Sequence, residues 1–163
     1  MAAQNSTVKL TNNLPSLKAG VKKVALNWLE ETSGELESQT KRNSAVGSAG
    51  AQTKNSWRHK VDSSAMEAVV GSPEMNAIYE EYGTGEYAAE GNGRSTPWYV
   101  PVELAVGYKK PSYQGKVVIV YGKGGQKFYK TDGKEPKMML HNAWDSVMPK
   151  AKKALPASLK TLK

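Results

Sequence analysis

The feature that most constrains the fold is a helical stripe near the start of the chain. Leu17, Val21, Val24, Trp28, Thr32 and Leu36 recur at spacings of three and four, with Ala25 and Leu29 beside them. A helix brings such positions onto one face, so the spacing predicts an amphipathic helix from about Pro15 to Arg42. Asn13 is placed to cap it, and Pro15 suits a first turn whose N–H has no partner anyway. Gly34 is its weak point, because glycine gives up more backbone freedom than alanine on entering a helix. A stripe this long has to be covered by a sheet or by another helix.

The rest of the chain supplies both. Residues 1–12 are polar and aperiodic and predict a flexible N-terminus. Residues 43–56, rich in Ser, Ala, Gly and Asn, predict a mobile loop. Ser56–Val61 alternates Trp57, His59 and Val61 with polar residues, and Ala65–Gly71 ends in Val69 and Val70; both read as short strands. Ser72-Pro73-Glu74 opens a short helix carrying Met75, Ile78, Tyr79 and Tyr82. Residues 83–115 are aperiodic, punctuated by Gly and Pro and studded with Tyr87, Trp98, Tyr99, Tyr108 and Tyr113. A loop this long inside a domain tends to be functional, and aromatic loops bury against partners. Lys116–Tyr121 is apolar on both faces and predicts a central, covered strand, which Gln126–Thr131 joins as a hairpin across a glycine turn. Asp132-Gly133 is another turn. A last helix runs from Glu135-Pro136 to about Ala154, with Pro149 expected to kink or shorten it, and residues 156–163 form a loose basic tail. The fold class is α+β: one domain over 1–163, folded over 14–153, with a small antiparallel sheet packed by a long N-terminal helix and a C-terminal helix. There are no internal repeats.

Composition narrows the chemistry. The chain of 163 residues has no cysteine, which excludes disulfides, thiol catalysis and Cys-based zinc sites. His59 and His141 are its two histidines, too few for a multi-histidine metal site. No apolar run approaches the ~18 residues of a spanning helix. Met1–Lys9 does not read as a secretory signal, so Asn5-Ser6-Thr7 reads as a chance glycosylation pattern. The net charge of +8 is unevenly spread. Residues 1–60 hold nine Lys/Arg against four Glu, 61–100 one Arg against seven acids, and 101–163 thirteen Lys against four acids. Segregated blocks of opposite sign suit head-to-tail self-association; scattered solvated faces are the bland alternative.

Two glycine motifs invite a nucleotide reading and fail it. Gly83-Thr84-Gly85-Glu86-Tyr87-Ala88 lacks the strand before it and the helix after it that a dinucleotide fingerprint needs. Gly122-Lys123-Gly124-Gly125-Gln126-Lys127 lacks the Gly-Lys-Ser/Thr ending of a phosphate loop and reads as a hairpin turn. His59 and His141 read as packed or surface histidines, and no serine sits in a nucleophile-elbow context. Glu80 and Glu81, adjacent and so divergent on a helix, read with Glu86 and Glu90 as solvated charge or as partners for a neighbouring subunit's lysines. No catalytic, cofactor or metal residue is expected, and the chain reads as a non-enzyme. Lys150, Lys152, Lys153, Lys160 and Lys163 could touch phosphates, but with Arg42, Arg58 and Arg94 as the only arginines any nucleic-acid binding would be non-specific.

The stretch from Tyr79 to Trp98 resembles a segment of the tail-component family of long-tailed phages, whose members are tail-completion or head–tail joining proteins. An aromatic Glu-Tyr-Gly-Thr-Gly is followed in order by Tyr87-Ala88-Ala89, Gly91-Asn92-Gly93-Arg94 and Pro97-Trp98. The likeness extends in layout over residues 14–153, with Gln39–Asn43 as the basic end of the first helix and Glu135–Ala143 as the entry to the last. It departs there in two prolines and a phenylalanine, and Ala45–Ser56 keeps only a degraded version of the family's motif after the first helix. The resemblance implies a homo-oligomeric ring, six-fold, at the head-proximal end of the tail. Its partners would be copies of itself, the tail tube protein, the head–tail connector and, non-specifically, packaged DNA, with no membrane. It implies residence in the virion after assembly in the host cytoplasm, and no cofactor. The residues expected at the assembly interface are Tyr82, Gly83, Gly85, Tyr87, Arg94, Trp98 and Tyr99. On that reading Gly83→Val or Trp98→Ala blocks joining and leaves the monomer folded. The alternative is a non-specific basic nucleic-acid-binding domain.

Overall fold

The computed structural model describes residues 12–44, 48–103 and 118–162. The expectations for residues 1–11, 45–47, 104–117 and 163 lie outside the described residues. The architecture is α+β, with a long N-terminal helix, a C-terminal helix and small antiparallel sheets. In chain order the elements are α1 (Leu14–Asn43), α2 (Ser48–Ser56), β1 (Arg58–Asp62), β2 (Glu67–Gly71), α3 (Met75–Tyr82), β3 (Thr84–Gly85), β4 (Trp98–Pro101), β5 (Val118–Tyr121), β6 (Lys127–Thr131), β7 (Gly133–Lys134) and α4 (Met139–Leu159).

Helices α1 and α4 lie side by side and antiparallel. Asn43 Nδ2 donates to the Met139 carbonyl (2.9 Å) at one end, Trp28 Nε1 donates to the Ala151 carbonyl (2.8 Å) midway, and Gly20 faces Leu162 at the other end. A Cβ on Gly20 would lie 3.0 Å from a Leu162 methyl, so the missing side chain lets the two chains close at that end. Gly34 does not break α1, and a Cβ there would meet the His59 ring at an ordinary 3.7 Å.

The buried face of α1 is largely hydroxylic. Thr32, Ser33 and Thr40 are buried beside Leu36. Ser33 Oγ donates to the Leu29 carbonyl (2.6 Å) and Thr40 Oγ1 to the Leu36 carbonyl (2.7 Å). A hydroxyl bonded back into its own helix leaves no unsatisfied group behind, so it can pack as a small side chain. The same device explains where the sequence misleads. Residues 48–56 form a helix, not a loop, and its inward side chains are Thr53 and Ser56, the latter donating to the Thr53 carbonyl (2.7 Å). A core face made of Thr and Ser carries no apolar periodicity to detect.

Among the described residues the strands form three separate pieces. β1 and β2 make a hairpin in which His59 pairs with Val70, and it packs on the C-terminal half of α1. β3 and β7 make a two-residue ladder. In the third piece the order is β4-β6-β5, so the central strand is Lys127–Thr131 and not Val118–Tyr121. Ile119 and Tyr121 are exposed on that edge strand. The other neighbour of β6 is β4, which lies in the stretch that reads as an aperiodic loop; Pro101 is tolerated there because β4 is itself an edge.

Among the described residues two small apolar clusters form the core: Leu36, Ala143, Val147 and Met148 between α1 and α4, and Trp57, Ala77 and Met139 where β1 and α3 meet the start of α4. Helix α4 starts at Met139, later than expected, and is neither ended by Pro149 nor loosened after Pro156. Each proline leaves the carbonyl four residues back without a donor, and those carbonyls belong to Asp145 and Lys152, exposed residues where water can serve instead.

Candidate assembly surface around α3

Helix α3 and the turns after it hold most of the residues singled out in the sequence. Met75, Ile78, Tyr79 and Tyr82 point outward, whereas Ala77, Glu80 and Glu81 are buried. The two carboxylates do not diverge into solvent as expected. Adjacent helical residues lie about 100° apart, close enough for both to enter one wide buried face.

Each carboxylate has a distinct task. Glu80 takes Lys134 Nζ at 2.8 Å and Lys137 Nζ at 3.1 Å, both lysines of the same chain. Burial works to raise its pKa, and the two ammonium groups outweigh that effect and hold it below the usual carboxylate range. Glu81 accepts the backbone N–H groups of Leu140 (2.9 Å) and His141 (3.0 Å). These belong to the first turn of α4, which has no side-chain cap of its own, since its N-cap residue, Met138 (φ 50°), carries no capping oxygen. The carbonyls of Glu80 and Glu81 accept from Lys137 (2.8 Å) and Met138 (3.2 Å). The end of α3 therefore holds the first turn of α4 through the Glu81 side chain, and β7 and the segment leading into α4 through the Glu80 side chain and both carbonyls.

The glycines that follow make a junction that other residues would not fit. Gly85 has φ +64°, and a Cβ on it would lie 2.0 Å from the Asp132 carbonyl oxygen. Gly133 faces Thr84 in the same way, and a Cβ on Gly93 would lie 1.9 Å from the Gly85 oxygen. Gly83, at φ +74°, would meet Lys134, Tyr87 and Pro136 at 2.7–2.9 Å. The expectation that Gly83→Val leaves the monomer folded does not survive this geometry. Gly83 and Gly85 hold β3 against β7, and they offer no side chain or open surface to a partner.

The other expected interface residues behave differently. Tyr82, Tyr87 and Tyr99 are exposed. Arg94 is exposed, donates from Nε to Thr96 Oγ1 (2.9 Å) and places its guanidinium 6.0 Å from the centre of the half-buried Trp98 ring. Trp98 sits opposite Thr131 on β6, Thr131 Oγ1 accepts from Gly133 N (3.2 Å), and Gly133 pairs with Gly85. One short path of contacts thus links the motif's beginning to its end. The fold brings all seven residues into one neighbourhood, two of them as internal scaffold. Sequence reasoning read Glu80 and Glu81 as solvated charge or as partners for another subunit's lysines, and missed Lys134 and Lys137 of the same chain. The one visible signal was a pair of acids inside an otherwise apolar and aromatic helix.

Two other places were candidates. His59 on β1 is held by carboxylates of α1: Glu37 takes its backbone N–H (2.9 Å) and Nδ1, and Glu30 lies 3.2 Å from Nε2. Glu37 raises the His59 pKa above its usual 6.5, with Glu30 adding to it. Lys41 and His59 together hold Glu37 down at about 2 against the opposing effect of burial. His141 is exposed and lies 3.5 Å from Asp145. An apolar groove of about 200 Å³ runs between α1, β2 and α4, lined by Trp28, Leu36, Val70 and Trp144 among others. Among the described residues no three His, Cys, Asp or Glu side chains converge so as to hold a metal ion, and no helix is long and apolar enough to cross a membrane.

Comparison with known proteins finds no matching family model, no matching curated protein and no matching solved structure.

Proposed function

We propose that the chain is a structural subunit of a tailed bacteriophage, a tail-completion or neck protein that forms a ring at the head-proximal end of the tail and joins it to the head connector. The observation that carries this reading is the Tyr79–Trp98 segment, in which the aromatic Glu-Tyr-Gly-Thr-Gly, Tyr-Ala-Ala, Gly-Asn-Gly-Arg and Pro-Trp pieces occur in order. The geometry of the segment supports it. Its glycines and buried acids build a rigid junction, and its aromatic residues stand around that junction with exposed faces, as a docking surface requires. The role is architectural and not catalytic, and its partners are copies of the chain, the tail tube protein and the connector. It acts in the virion after assembly in the host cytoplasm.

The test is to mix the purified protein with tail tubes and with connectors and to image the products by electron microscopy. Rings or collars at tube ends are expected. Strict monomers that bind neither component overturn the reading. Trp98→Ala should fold and join poorly; if it unfolds the domain instead, Trp98 is core and leaves the interface.

One observation favours a second reading. Lys150, Lys152, Lys153 and Lys160 are all exposed on the last turns of α4 and just past its end. Such a basic face would bind DNA non-specifically, with an affinity that falls steeply as salt rises. Absent or salt-independent binding removes it.

A further inference from the structure

Helix α3 is inverted. A helix on a protein surface normally hides its apolar residues and shows its charges. α3 buries Glu80 and Glu81 and leaves Met75 63%, Ile78 53%, Tyr79 47% and Tyr82 49% exposed. Four large apolar side chains on one short helix form a patch that water alone does not account for. Its surroundings are acidic. Glu74 precedes the helix, and the turn carrying the exposed Glu86 and Glu90 folds back on its end through the Ala89 N–H to Tyr82 carbonyl bond (2.8 Å).

A face of complementary chemistry lies at the other end of the molecule. On the first turns of α1, Leu14, Leu17 and Val21 continue the stripe that farther along packs on α4, yet they are 60%, 50% and 42% exposed. Lys18, Lys22 and Lys23 flank them, and Lys153 and Lys160 stand exposed on the adjoining end of α4. α3 clamps the N-terminus of α4, whereas Gly20 of α1 touches Leu162 just beyond its C-terminus. With 21 residues in α4, the two faces are about 30 Å apart at 1.5 Å per residue. One copy cannot close them on each other.

We propose that these faces mate between copies of the chain: the apolar outer face of α3 on one copy seats the Leu14–Leu17–Val21 stripe of the next. The acidic rim of the first lies against the lysine collar of the second. Because the faces differ, the contact is heterologous and propagates head to tail, closing a ring where the rotation allows. Opposed rims give an association that weakens with salt. The pairing rests on the reading of the chain as a self-assembling subunit, and it adds which two surfaces meet.

The experiment uses two full-length variants, Ile78→Asp and Leu17→Asp, each altering one face at an exposed position. Circular dichroism and thermal melting establish that both fold as the parent does. By sedimentation velocity the parent should self-associate, and each variant alone should associate about thirtyfold more weakly or worse, the loss typical of a central interface residue. An equimolar mixture of the two should give a discrete species of twice the monomer mass, since each supplies the intact face the other lacks. A parent that stays monomeric at millimolar concentration overturns the pairing. So does a mixture that stays monomeric while the parent associates, or a single variant that associates like the parent. None of these results decides the neck reading, which depends on binding to tail tubes and connectors.

Discussion

Two places in the molecule use glutamates to fasten one element to another, and they differ in what the glutamates hold. At the end of α3, Glu80 and Glu81 are buried and grip two lysines and two backbone N–H groups. On α1, the half-buried Glu37 grips His59 and Lys41. Lysines and amides stay donors across the whole neutral range, whereas a histidine changes charge inside it. The α3 clamp is therefore a fixed joint, and the α1–β1 contact is one whose strength depends on pH.

The joint at α3 breaks most completely through its glycines. Gly85→Val puts a branched side chain at φ +64° where even a Cβ would lie 2.0 Å from a carbonyl oxygen. Backbone strain and overlap together should cost more than about 3 kcal/mol, enough to leave little folded protein. Gly91 is the control. It has a similar φ of +68°, but a Cβ added there would find nothing within 4 Å, so Gly91→Ala should cost only the conformational ~1–2 kcal/mol. Urea unfolding separates the two. Equal losses would mean that the β3–β7 junction can move apart to make room.

Glu81 comes next. Glu81→Ala leaves the Leu140 and His141 amides without their acceptor at a partly buried helix start, a loss of about 1–2 kcal/mol. Glu81→Gln keeps one acceptor oxygen and should lose about half as much. Were the two variants equally stable, the cap would contribute through shape and not through hydrogen bonds.

These first two tests bear on what could be read in the sequence. Helix α1 was legible because Leu17, Val21, Val24, Trp28 and Leu36 keep a helical period, and the β5–β6 hairpin because apolar runs flank a glycine turn. α2 was not, since its inward residues are Thr53 and Ser56. β4 was hidden among prolines and glycines, and without it β5 looked central. At the candidate surface Gly83 and Gly85, expected at an interface, are buried in the β3–β7 junction instead. A glycine needed for close backbone approach and a glycine exposed in a loop look alike in a sequence. Only the 2.0 Å clearance at Gly85 tells them apart. Glu80 and Glu81 were misplaced for a similar reason: a charged pair reads as solvent-facing unless the lysines that cover it, more than fifty residues later, are seen beside it.

The α1–β1 contact predicts a maximum in pH. The His59 pKa is raised on folding, so its share of stability is fully present below its unfolded value near 6.5 and is lost as pH rises through the raised value. Glu37 is lowered to about 2, so its share is present above the ordinary 4.5 and is lost as pH falls toward about 2. The contact should be strongest between those limits, from 4.5 to 6.5. Glu37→Gln should flatten both limbs and cost about 1 kcal/mol inside the window, as partly exposed pairs do. Hydrogen exchange along Arg58–Asp62 as a function of pH reports it directly. A flat profile in the parent would show that the hairpin is held by packing on α1 and not by the carboxylates.

The smallest effect on stability is expected at Arg94, and its smallness is what makes it informative. The guanidinium is exposed, bonds a threonine two residues away and stands 6.0 Å from the Trp98 ring, at the outer reach of a cation–π contact. Arg94→Ala should change the unfolding free energy by no more than about 0.5–1 kcal/mol. Unlike Gly83 or Glu81, it can be removed without loosening the junction, because nothing in β3, β7 or α4 leans on it among the described residues. A loss of tail joining in Arg94→Ala, with the urea midpoint unchanged, would then measure contact with a partner and not a weakened scaffold. Unchanged joining would remove Arg94 from the interface and leave the exposed tyrosines to carry it.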